Sequence, residues 1–282
     1  MYNKYFTVEV KPDIDADLLG AAALADDDVI WSWWPFQIPK GSSRLLNVTA
    51  RVTSTCGTAQ IRPFQLFFAK SKVHPATGSI SNPTSIGEYN TAANFVPSKN
   101  ETIGALKIEA IDYMCNSLVG ASVASTGNSV AANGSNIDMV LTPSGSDHAN
   151  YELSHTLPSG VVLSPPSNVA ITPGYDILWV AGVACSEFDF TCGVEVDGEF
   201  SFGGGGTSVI HTDQINANIV FSPGDVIQEA DNTVIGTIVS MSEAVGRDVD
   251  ITVFSDQPAN TVADGVVVYP RNPITLELSF EK

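Results

Sequence analysis

The stretch Ile274-Thr275-Leu276-Glu277-Leu278-Ser279-Phe280-Glu281 alternates apolar and polar residues. That period-two pattern belongs to a strand with one face in a core and the other in water. The same rhythm runs through Leu46-Asn47-Val48-Thr49-Ala50-Arg51-Val52, where Leu46, Val48, Ala50 and Val52 are expected to face inward. Phe64 to Ala69 and Tyr175 to Ala184 are apolar on both faces, as central strands are. Further short runs are separated by Gly, Pro, Ser and Asn, and no stretch sustains the period of a long helix; at most Leu18 to Ala25 offers a short one. The expected fold is all-β: a large antiparallel β-sandwich, with a jelly roll among the topologies it allows, followed by a small β-barrel or sandwich module.

The run Phe202-Gly203-Gly204-Gly205-Gly206-Thr207 reads as a joint, because four glycines bury no side chain and cost entropy to order. It divides the chain into a sandwich with long polar loops (1–202), the joint (203–206) and the small module (207–282). In the alternative reading the last strand returns to the first domain's sheet. A phosphate loop would carry Lys before Ser or Thr after the last glycine, whereas Thr207-Ser208 follow here.

Thirteen basic against 31 acidic residues leave a net charge of −18. Nucleic-acid binding requires cationic side chains against phosphates, and an anionic membrane surface requires the same, so neither partner is expected. Charged residues make up 16% of the chain, and its surface must therefore be covered largely by Ser, Thr, Asn and Gly. The first residues, Met1 to Val10, alternate like a strand and lack an apolar signal core, so use without export is expected.

Four features are candidates for a site. Asp13, Asp15 and Asp17 have the spacing that opens a calcium loop, although Leu18 stands where such a loop needs glycine and Leu24 where it needs glutamate. Trp31, Trp33 and Trp34 form an aromatic cluster suited to core, a subunit interface or sugar stacking, with Trp31 and Trp33 expected on one face and Trp34 on the other. Residues 71–104 and 120–136 are long, polar excursions of the kind used for contacts with neighbours. Cys56, Cys115, Cys185 and Cys192 lack zinc spacing and read as free thiols, with a Cys185–Cys192 bridge as the alternative. His74, His148, His155 and His211 form no catalytic signature with their neighbours, no motif selects two carboxylates for hydrolysis, and no cofactor is expected.

The phrase Phe221-Ser222-Pro223-Gly224-Asp225-Val226-Ile227, followed by Val234-Ile235-Gly236-Thr237-Ile238, resembles small β-modules of tailed-bacteriophage virion proteins. The acidic, Ser/Asn/Gly-rich and cysteine-poor style resembles them too. Within that group the chain is most similar to a capsid decoration (cement) protein. The resemblance implies a non-enzymatic component of the virion, assembled in the host cytoplasm. Its partners would be the major capsid protein, other virion proteins and its own copies, with a trimer favoured. The alternatives are a tail, baseplate or fibre component, and a carbohydrate-binding module built on the Trp31/Trp33/Trp34 cluster. Contacts are expected from residues 1–30, 71–104 and 120–136. Their faces should be neutral, with Asp13, Asp15, Asp17 and Asp26 to Asp28 turned outward or binding cations.

Overall fold

The computed structural model describes residues 4–14, 23–53, 61–73, 75–77, 80–87, 89–95, 101–113, 121–126, 139–143, 155–156, 162–163, 174–188, 193–212, 217–243 and 248–282. Its strands in the first two-thirds of the chain begin with β1 (Tyr5–Val10), β2 (Val29–Pro39), β3 (Ser43–Thr53) and β4 (Phe64–Lys70). The short pair β5 (Lys72–Val73) and β6 (Ile80–Ser81) precedes β7 (Glu101–Ile108), β8 (Ala121–Thr126) and β9 (Met139–Leu141). A second short pair, β10 (His155–Thr156) and β11 (Val162–Leu163), leads to the long β12 (Tyr175–Ala184). Then come β13 (Val194–Glu195), β14 (Phe200–Phe202), β15 (Gly206–Thr212), β16 (Val226–Glu229) and β17 (Val234–Met241). The last four are β18 (Val249–Ser255), β19 (Asn260–Val262), β20 (Val267–Pro270) and β21 (Ile274–Glu281).

Two antiparallel sheets make the larger unit, in the orders β1-β21-β3-β8 and β2-β12-β4-β7, with β9 added beside the start of β3. Every step along these eight strands crosses from one sheet to the other, except β4 to β7. That is the connectivity of a jelly roll, one of the topologies the sequence allowed. Inward residues of both sheets share one core, including Val48, Ala50, Val52, Leu276, Leu278 and Phe280 from one sheet and Phe36, Ile38, Phe64, Leu66, Phe68 and Val180 from the other. Burying each large aliphatic or aromatic side chain of this kind contributes about 1.5–3 kcal/mol. The expected inward face of β3 holds at Val48, Ala50 and Val52, but Leu46 is displaced. A register shift between Ser279 and Phe280 sets Leu45 opposite Phe280, so Leu45 enters the core and Leu46 becomes the extra residue of a bulge.

The second sheet is buried on its outer face as well. Val29, Trp33, Ala69, Ile177, Trp179, Ala181 and Val183 pack there beneath Ile86, with Ala93 and Phe95 against them. Ile86, Ala93 and Phe95 thus cover the sheet from within the expected contact arm 71–104, of which 74, 78–79, 88 and 96–100 lie outside the described residues. The tract is polar in composition, yet Ile86 and Tyr89 are buried. Of the second expected arm, 120–136, the described part is β8, which pairs with β3.

The smaller unit is inserted between the seventh and eighth strands of the roll. Its main sheet has the order β13-β20-β16-β17-β18-β15, with β14 and β19 paired beside it. Val194, Phe200, Phe202, Ile210, Phe221, Ile235, Ile251, Val253 and Val268 belong to its core. This arrangement corrects the division at 203–206. The glycine run is a turn inside the insert, from β14 into β15, and β21 returns to lie between β1 and β3. Gly203, Gly204 and Gly205 all have positive φ. A β-carbon on Gly203 would press on the backbone of Gln257 and Pro258, and Gly204 and Gly205 donate amides to the carbonyls of Gln257 and Ser255 at 2.9 and 3.0 Å. Glycine is required there by a packed left-handed turn.

Roll and insert are tied at a junction around Arg271. Arg271 donates to Gln228 Oε1 at 3.4 Å and pairs with Asp13, while the Gln228 amide donates to the Ile14 carbonyl at 2.9 Å. Asn272 donates to the Lys11 and Pro12 carbonyls and to Asp13 Oδ1. A second link joins Arg51 of β3 to Asp225, 3.2 Å away, in the turn before β16.

Candidate interaction surface

The tryptophans go to the core. Trp31 and Trp33 are 4% and 2% exposed, and Trp34 is half-buried against the main core. Their faces also differ from strict alternation. On β12, Val180 and Gly182 are two residues apart, but their partners Trp34 and Trp31 are three apart. The bulge on β2 puts Trp31 and Trp34 toward the space between the sheets and Trp33 toward the outer cover. The Trp31 indole donates to the Val180 carbonyl at 3.1 Å, and that of Trp33 to the Thr84 carbonyl at 2.9 Å. Trp31 and Trp33, packed and with their indole N–H groups satisfied, offer no open platform for sugar stacking, and of the three rings Trp34 alone keeps part of its surface in solvent.

Asp13 is likewise committed. Oδ2 lies 2.8 Å from Arg271 Nη2, and Oδ1 accepts from the Asn272 amide at 2.8 Å. The first carboxylate of the calcium candidate is a structural clip; Asp15 and Asp17 lie outside the described residues. Asp26 and Asp27 are exposed, as expected, while Asp28 Oδ2 accepts the Ala25 amide at 2.7 Å. Among the described residues no three His, Cys, Asp or Glu side chains gather as metal ligands. Cys185 is a free thiol, pushed up in pKa chiefly by burial. Cys56, Cys115 and Cys192 lie outside the described residues, as do His74 and His148.

An open apolar surface lies on the insert. Thr207 of β15, Phe254 of β18 and Thr237 of β17 stand opposite one another in one row. In the next, Val209 stands opposite Thr252, and Thr252 opposite Ser240. A register shift between Ile238 and Ser240 adds Val239 to this face. Val209, Val239 and Phe254 are 42%, 53% and 44% exposed. In a third row of the same face His211 stands opposite Asp250, with Nδ1 2.7 Å from Oδ1. Ile210, Ile251 and Val253 alternate with them and fill the core behind. The sequence reading missed this face because β15 offers an aliphatic residue on either side, Val209 and Ile210, and alternation alone does not say which is inward. The exposed Phe254 between Val253 and Ser255 was the available signal.

Two carboxylates lie at the base of the insert. Burial pushes Asp225 above the usual carboxylate range, opposed by Arg51 and the Ser222 amide. Glu229 is raised by burial and, in smaller part, by Asp231.

No family model matches the chain, and no curated protein matches it. Two solved structures align along all of it: infectious bursal disease virus, Gx strain, at 8% identity and TM-score 0.12, and dimeric latent PorU from Porphyromonas gingivalis, at 10% identity and TM-score 0.12. The chain spans 42% and 20% of those chains, and likenesses this low carry no argument.

Proposed function

We propose that this chain is a non-enzymatic structural protein of a virion, a capsid decoration component that associates with its own copies and with shell proteins through the outward face of β15, β18 and β17. The observation that carries this reading is a charge-poor, partly apolar face, on which Asp250 is held by His211, on a chain with net charge −18. Like-charge repulsion between copies is lowest where the surface is neutral. Jelly rolls recur in viral capsid and lectin domains, which supports the reading by analogy of fold.

Three strands ~4.8 Å apart and seven residues long present about 330 Å². That is less than half of the ~800 Å² per partner in a stable complex, so one contact is weak and repetition of copies on a shell supplies the avidity. The test is sedimentation of the wild type and Phe254→Asp at low and high salt. Association of the wild type should strengthen with salt, as screening removes repulsion, and Phe254→Asp should abolish it without lowering the melting temperature. A wild type that stays monomeric at high protein and salt concentration, or a variant that associates equally well, would overturn the proposal.

A further inference from the structure

A second surface, on the roll, has a different chemistry. In the sheet of β1, β21, β3 and β9, Tyr5 stands opposite Glu281, Glu281 opposite Arg44, and Arg44 opposite Val140. Residues in register share a face, and this row is the outward one: the neighbouring row Phe6, Phe280, Leu45 and Met139 packs into the core. Tyr5 and Val140, at the two ends, are 69% and 56% exposed. Between them lie a carboxylate and a guanidinium. The Tyr5 hydroxyl donates to Glu281 Oε1 at 3.2 Å, and Arg44 Nη1 lies 4.0 Å from Glu281 Oε2.

The surface there is indented. A depression of about 340 Å³ is lined by Ser42, Ser43, Arg44, Val140, Glu281 and Lys282. Ser43 alternates with Arg44 and is in register with the buried Leu141, so it belongs to the floor of the depression and its side chain to the core side of the sheet. Ser42 shares a hydrogen bond with Thr142 at 2.7 Å on the same rim.

We propose that this row is a binding site for a neutral saccharide. A sugar ring has an apolar C–H face, which an exposed tyrosine ring and a valine can cover at the two ends of the row. Its adjacent hydroxyls are both donors and acceptors. Glu281 accepts from them, and Arg44 and the Ser42 hydroxyl donate to them. Four strands set the row at about 14 Å from end to end, the reach of a short oligosaccharide. The central carboxylate and the net charge of −18 disfavour phosphorylated, sulfated or sialylated ligands. The volume is near the lower end of ligand sites, ~300–1,000 Å³, which suits a small ligand held on an open face. This site shares no residue with the insert's face and stands whether or not the chain self-associates.

The test uses the full chain on an array of neutral oligosaccharides (glucans, galactans, mannans and N-acetylglucosamine oligomers), with sialylated and sulfated glycans beside them. Any neutral oligosaccharide that binds is then titrated by NMR against four proteins. Tyr5→Ala should weaken binding at least tenfold, while Tyr5→Phe, which keeps the ring, should stay within about threefold of wild type. Val140→Asp should weaken it independently, at an exposed position where folding is unaffected. Melting temperatures equal to wild type confirm that each variant is folded. Retention of only charged glycans overturns the proposal, and so does a failure to bind any neutral one. Binding that survives Tyr5→Ala and Val140→Asp unchanged places the sugar elsewhere and overturns it too.

Discussion

Arg271 and Asp13 form an ion pair 2.8 Å long, with side chains only 7% and 11% exposed, at the junction of roll and insert. Breaking one half of such a pair leaves the other charge buried. Arg271→Met should cost about 3–5 kcal/mol in urea denaturation, and the double variant Arg271→Met/Asp13→Leu should recover most of it. A single variant within about 1 kcal/mol of wild type would show that the junction is not held by this pair.

Asp225 has the opposite pH behaviour to an ordinary paired carboxylate. Its folded-state pKa is raised, mainly by burial. The native state therefore binds the proton more tightly than the unfolded chain, and this group's contribution to stability grows as pH falls through the raised pKa toward the unfolded value, about 3.9. At neutral pH the ionised group costs stability. Asp225→Asn should be as stable as wild type or more so near pH 7, and that advantage should shrink on acidification. Urea midpoints for both proteins between about pH 4 and 7 check this; an advantage that grows as pH falls contradicts it.

Gly182 lies against the Trp31 ring, where a β-carbon would collide with the six-membered part of the indole. Gly182→Ala should destabilise by about 1–3 kcal/mol through overpacking in the central strand. Adding Trp31→Leu should make the pair less costly than the sum of the two changes. Thermal melts of the three variants decide it.

Ile86 is buried in the cover over the second sheet. Ile86→Ala should cost about 2–5 kcal/mol, and deletion of 82–95 should abolish the near-UV circular dichroism of the tryptophans beneath. A deleted protein that keeps that signal and its melting temperature would return this tract to the role of a contact arm.

Alternation made the all-β class and many individual strands legible: β21 and the apolar β12 were both read at their bounds. The errors are local and physical. Bulges on β2 and β3 broke strict period-two reasoning, which moved Trp33 to the outer face and Leu46 out of the core. The glycine run looked like a linker because composition does not reveal that positive φ and a close backbone were the reason for it. Asp13 looked like a ligand because Arg271, its partner, lies far along the chain. The saccharide row was not legible at all, since register across four strands is a property of pairing and is invisible in any single segment.

The position of β21 between β1 and β3 has a consequence for biosynthesis. Tyr5 and Glu281 are 276 residues apart. At ~5–20 residues per second, β1 emerges from the ribosome roughly 14–55 seconds before the strand it pairs with. The sheet of β2, β12, β4 and β7 has all its strands once Ala184 has been made, and the insert follows as a block. The first sheet stays open throughout, with a gap one strand wide between β1 and β3. Chaperone occupancy of nascent chains should therefore persist past the completed insert and fall when residues 274–281 clear the exit tunnel, as that strand enters the gap and closes the roll.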